Sequence, residues 1–170
     1  MLYNLAAIQE YHDLFKTADL EISIFTGIHD MEYAEEFIKA AHDFLIRPKT
    51  KLRIACQCGS DMAQCHILTE IASDPDRQGE ILLYDAHMFS GKPYFILTDQ
   101  SGYRIEIPEL KETIQAYGDL TEIDRLQNEL HCILSLSPMK TFPPAISQQS
   151  PNNQKNKIVP LKLRELTHHH

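Results

Sequence analysis

The sequence predicts an α/β fold: a mixed, mostly parallel sheet of about five strands with helices on both faces. Three observations predict it. Short β-rich runs alternate with stretches of helical periodicity from the amino terminus to Tyr84. The run Ile81-Leu82-Leu83-Tyr84 is short and apolar, as expected of a strand covered on both faces. The stretch from Gly91 to Glu106 reads as a β-hairpin, with apolar runs flanking the turn Asp99-Gln100-Ser101-Gly102.

The elements follow in order. Residues Asn4 to Lys16 read as a helix, with Leu5, Ile8, Leu14 and Phe15 on one stripe and Asn4 as N-cap. Leu20 to Thr26 alternates and is rich in β-formers, so it reads as a strand. Thr26-Gly27-Ile28-His29-Asp30 turns into a helix whose start is crowded by Asp30, Glu32, Glu35 and Glu36, where negative charge complements the helix dipole. Tyr33, Phe37, Ala40, Ala41, Phe44 and Leu45 form its apolar face, and Pro48 stops it.

Lys51 to Cys56 is a second strand. A helix from about Asp61 to Ser73 follows, capped by Ser60, and residues 74–79 form a loop before the third strand at residues 81–84. This alternation implies parallel strands with right-handed crossovers. After the hairpin, Pro108 leads to a helix from about Glu109 to Tyr117, closed by Gly118. Thr121 caps a final helix running to about Leu134, with Ile123, Leu126, Leu130, Ile133 and Leu134 as its stripe. Residues 1–136 are therefore read as one domain.

Residues 137–167 are rich in Pro, Ser, Gln and Asn and cannot bury enough apolar surface to offset their ordering entropy. Within them, Ile158 to Leu163 is apolar enough to dock or to join a sheet edge. Residues 168–170 have the form of a purification tag.

Composition excludes several functions. The longest apolar runs fall well short of the roughly 20 residues a membrane span needs. A formal net charge of −8 disfavours a protein that coats nucleic acid, although it leaves room for a local basic groove. Four cysteines with no signal-like start fit a reducing, cytoplasmic setting.

The hairpin carries the main candidate site. Lys92 and Tyr94 share a face of its first strand, Asp99 lies at the turn, and Arg104 and Glu106 share a face of the returning strand. Aligned Lys, Tyr and Arg donors suit an anionic group, while the same residues can equally be solvated charges on a sheet edge. His87, just after the third strand, belongs to the same candidate set because ligand crevices open at the carboxyl ends of such strands.

The element order and hairpin register resemble a single phospholipase-D-like domain over residues 5–136. Active members carry His-x-Lys-x4-Asp at the start of the hairpin. With Asp99 aligned to the aspartate, Lys92 stands at the nucleophilic His and Tyr94 at the Lys. Tyr103-Arg104-Ile105-Glu106 replaces the Gly/Ser element of the returning strand. The resemblance thus implies a scaffold without the phosphohistidine chemistry, because a protonated lysine is a poor nucleophile near neutral pH. It also implies a homodimer, since these enzymes build one site from two copies of the motif.

Two other constellations carry less. Cys56, Cys58, Cys65, His66 and His87 have no standard zinc spacing, so no metal or cofactor is expected. Cys58 with His87 is a conceivable nucleophile pair, against the plain role of cysteine as a small buried hydrophobe. The turn at Gly27 follows a strand and opens a helix, but its acidic neighbours repel an anion. The expected function is a catalytically inactive module that binds a protein partner or a phosphate-bearing ligand. The alternatives are a phosphodiesterase or nuclease with an altered motif and an interaction protein docking through its tail.

Overall fold

A computed structural model describes residues 12–26, 34–57, 66–89, 91–107 and 109–144. Residues 12–17 are helical (α1), the described end of the helix expected from Asn4. The remaining elements are β1 Glu21–Thr26, α2 Ala34–Leu45, β2 Lys51–Cys56, α3 His66–Ser73, β3 Glu80–Asp85, β4 Tyr94–Thr98, β5 Gly102–Ile107, β6 Glu112–Tyr117, α4 Leu120–Ser135 and β7 Met139–Phe142. A 3₁₀ turn at His87–Phe89 links β3 towards β4.

The strands form one seven-stranded sheet in the order β6-β5-β4-β1-β2-β3-β7. The sheet is mixed, but it is larger than five strands and not mostly parallel. Among the described residues, β1–β2 and β2–β3 are parallel and the other four pairings are antiparallel.

Period-two alternation places the two cores. Ile22 and Ile24 of β1, Leu52 and Ile54 of β2, Ile81 and Leu83 of β3 and Ile96 of β4 pack with α1, α2 and α3. Phe25, Ala55, Phe95, Leu97, Tyr103 and Ile105 point to the opposite face and pack against Ile123, Leu126, Leu130 and Ile133 of α4. Helices therefore cover both faces, as the apolar strands require.

Three expectations are corrected. Residues 112–117 form strand β6, not a helix. The alternation Thr113-Ile114-Gln115-Ala116-Tyr117 is a strand pattern, and the turn into it is closed by Leu110 N–H donating to Ile107 C=O at 3.2 Å. Gly118 has a φ of 78°, but it ends a strand: its N–H donates to Ser101 C=O at 2.9 Å. The cap of α4 is Asp119 rather than Thr121, with the Asp119 carboxylate accepting from Glu122 N–H at 3.2 Å.

The third correction concerns the boundary at residue 136. Met139–Phe142 is strand β7, antiparallel to β3, so the sheet continues into the expected tail. Arg77 holds it there. This guanidinium is 3% exposed and donates to the carbonyls of Phe142 (2.8 Å), Pro143 (2.9 Å), Gly79 (2.9 Å) and Ala72 (3.1 Å). Asp85 N–H adds a bond to Pro138 C=O at 2.9 Å. The segment Ile158 to Leu163 and the tag lie outside the described residues.

Candidate functional site

The hairpin forms where the sequence places it, with β4 and β5 on either side of the turn and Ser101 taking a φ of 63°. Gly102 is needed there. A Cβ at this position would meet Leu14 Cδ1 at 2.8 Å and Thr98 Oγ1 at 3.0 Å, so α1 packs directly on the hairpin backbone.

Register then decides which candidate residues meet. Because β4 runs antiparallel to β1, Tyr94 lies at the carboxyl end of the parallel strands and Asp99 at their amino end. Tyr94 stands opposite Glu106, and Ile96 opposite Arg104. Tyr94, Arg104 and Glu106 thus share the face that carries α1–α3, since Tyr103 and Ile105 point to α4. Arg104 is 2% exposed; its Nε donates to Glu106 Oε1 at 2.8 Å and its Nη1 to Gln115 Oε1 at 2.9 Å. Gln115 in turn donates to the Tyr117 hydroxyl at 3.1 Å. The strand misread as a helix supplies half of this polar layer.

Lys92 does not join it. It precedes β4, and its Nζ pairs with Glu129 of α4, on the opposite face, at 3.1 Å. Glu129 also receives Arg125 at 3.4 Å, so Lys92 ends a surface row of alternating charge. Asp99 is occupied elsewhere. Its carboxylate accepts the backbone N–H groups of Asp19 (2.8 Å), Leu20 (2.6 Å) and Glu21 (3.1 Å), the segment that enters β1. Asp99 N–H closes the loop by donating to Glu21 C=O at 3.1 Å.

His87 is separate again. Its Nδ1 lies 2.8 Å from Asp85 Oδ1, which also accepts His87 N–H at 3.2 Å. A carboxylate only accepts, so the imidazole proton sits on Nδ1 and Nε2 is the basic nitrogen, on a side chain that is 58% exposed. Gln57 anchors the same loop through Phe89 C=O at 3.1 Å.

Cys56 is buried in the apolar core. Cys58, Cys65, the His66 side chain and residues 27–33 lie outside the described residues. Among the described residues, no three His, Cys, Asp or Glu side chains are grouped to hold a metal ion.

Sequence reasoning missed the β6 edge. Ile114 and Tyr117 are half exposed on it, and Leu110 and Leu120 flank it, both exposed. Alternation over 113–117 was the available signal. It also missed a cleft between α1 and α2, lined in part by Lys16 and Arg47. Nothing local marks that cleft, because the two helices are far apart in sequence.

No family model matches this chain, and no curated protein matches it. A solved structure, described as "Structure of TrmBL2, an archaeal chromatin protein, shows a novel mode of DNA binding", is similar at 11% identity with a TM-score of 0.47. The similarity covers 78% of this chain and 50% of that one, so the chain spans about half of that structure's length. No helix among the described residues is long and apolar enough to cross a membrane.

Proposed function

We propose that this chain is a non-catalytic binding module, on a scaffold read as phospholipase-D-like from its hairpin register, that receives an extended segment of a protein partner along β6. One observation carries the reading. β6 is an edge strand whose Thr113-Ile114-Gln115-Ala116-Tyr117 run holds no charge, with Ile114 and Tyr117 each 49% exposed. An uncharged edge with apolar side chains is the usual template for strand addition: backbone hydrogen bonds supply affinity and alternate side chains supply choice.

The hairpin supports the absence of phosphodiester chemistry. On that reading Lys92 and Tyr94 stand where phospholipase-D-like enzymes use His and Lys, and Lys92 is neutralised by Glu129. Asp99 is engaged by three backbone N–H groups. A second copy of the chain is one eligible partner. In a two-fold antiparallel pairing centred on Gln115, Ile114 would lie opposite Ala116 of the mate and Thr113 opposite Tyr117.

Panning a displayed peptide library against the chain, with sedimentation equilibrium to detect self-pairing, tests the proposal. Selected peptides, or the second copy, should slow hydrogen exchange of β6 amides, and Ile114→Lys should abolish that protection. Ligands that protect amides elsewhere, or bind the Ile114→Lys variant equally well, would overturn it.

One observation favours a second reading, the exposed His87 imidazole oriented by Asp85. An altered phosphodiesterase using this base should hydrolyse bis(4-nitrophenyl) phosphate, and His87→Ala should remove the turnover. Absence of turnover by the purified chain would sink that reading.

A further inference from the structure

A cavity of about 170 Å³ lies between α1 and α2, away from β6 and from the hairpin layer. Its apolar wall is made by Phe15, Ala40 and Phe44. Its polar wall carries three nitrogen bases, His12, Lys16 and Arg47, against one carboxylate, Asp43. In a chain of net charge −8, this is a local excess of positive charge.

Arg47 is built into place. Its Nη2 donates to Ala18 C=O at 3.0 Å, tying the end of α2 to the end of α1, and its guanidinium carbon lies 5.1 Å from the centroid of the Phe44 ring. No carboxylate among the described residues pairs with it, so Nε and Nη1 remain able to donate. Lys16 is exposed at the rim and makes no ion pair with the described residues. A fixed guanidinium beside an exposed ammonium is a common arrangement for a small oxyanion.

We propose that this cleft binds a small organic monoanion, a carboxylate on an apolar body of about benzene size, with the carboxylate held by Arg47 and Lys16 and the body seated on Phe15 and Phe44. The size follows from the volume: a cavity of about 150 Å³ suffices for benzene. The single charge follows from Asp43, which opposes a dianion at the same rim. The apolar body follows from Phe15, Ala40 and Phe44, each at most 3% exposed, whose edges form the cavity wall and offer inorganic phosphate no hydrogen-bond partner.

Titration of the full chain, followed by amide chemical shifts, tests this with three probes: benzoate, its neutral counterpart benzyl alcohol, and inorganic phosphate. Benzoate should shift amides confined to α1, α2 and their ends. Benzyl alcohol and phosphate should each need about tenfold more ligand, the loss expected for one charge-assisted bond or one ring contact. Arg47→Gln should weaken benzoate about tenfold. Lys16→Gln, on an exposed side chain, should weaken it several-fold without affecting folding, so the proposal stays testable if the Arg47 variant is unstable. Benzyl alcohol binding as tightly as benzoate, benzoate shifts scattered outside α1 and α2, or a Lys16→Gln variant binding benzoate unchanged would overturn it. Retained strand addition at β6 in the same variants would separate this site from the partner surface.

Discussion

Single residues show most sharply how a charge can be consumed by the fold. Arg77 sits in a stretch that reads as a loop, yet it is buried and satisfies four carbonyls, from α3, the residue before β3, β7 and the residue after β7. Arg77→Met should cost about 3 kcal/mol by orphaning those carbonyls. Hydrogen exchange should then quicken in β7 before the sheet centre; β7 exchanging together with β1 would contradict this role. Asp74, just upstream, pairs with His42 and accepts Asp76 N–H at 2.9 Å. Burial pushes its carboxyl up, but the Asp76 and His42 hydrogen bonds and the charges of His42 and Arg77 outweigh it, leaving it below its ordinary 3.8. A depressed carboxylate stabilises the fold above its unfolded value and loses that contribution as pH falls through the folded one. Asp74→Asn should therefore cost about 1 kcal/mol at pH 7, with the gap to wild type closing below the ordinary 3.8 in urea titrations at a series of pH values. The residue types at Arg77 and Asp99 were visible in the sequence, but their partners were not. Those partners are backbone groups 65 and 66 positions away for Arg77, at Phe142 and Pro143, and 78 to 80 away for Asp99.

At the scale of elements, the buried strands inside the sheet were legible and the two edge strands were not. β1, β2, β3 and the β4–β5 hairpin fall within a residue or two of expectation because each carries a dense β-forming run. β7 carries few apolar residues, and β6 alternates but holds a single strongly apolar aliphatic, Ile114; as edge strands both face solvent more, so neither has the dense apolar run that burial imposes. α4 was legible from its stripe, but its cap was displaced by two residues. Asp119→Ala should cost about 1 kcal/mol, while Thr121→Ala should stay within about 0.5 kcal/mol. Equal losses in thermal unfolding would show that Asp119 is not the dominant cap. Gly102→Ala should cost about 1–3 kcal/mol, because the new methyl meets Leu14 and Thr98 across the α1–hairpin contact. A variant as stable as wild type would mean that α1 can withdraw from the hairpin without penalty.

For the whole molecule, the sheet is asymmetric about its parallel centre β1-β2-β3. An antiparallel meander β4-β5-β6 extends one side and a single returning strand, β7, closes the other. β7 shields the outer edge of β3, so truncation after Leu136, where the composition changes, should expose that edge and leave Arg77 without two of its acceptors. The truncated chain is expected to melt at least several degrees lower, to bind a hydrophobic dye and to aggregate. Unchanged melting would show that the domain ends at residue 136 after all. The sequence by itself determined the α/β class, the β–α alternation, the hairpin with its turn and the absence of any His-x-Lys-x4-Asp run, because these rest on local periodicity, turn chemistry and residue identity. Only the tertiary structure decided that Arg104 is buried with Glu106 and Gln115, that Lys92 turns to α4, that Asp99 caps the entry to β1, and that the sheet grows to seven strands. Each of these depends on pairings between segments distant along the chain, where register and packing select the partner and the sequence pattern leaves no local mark.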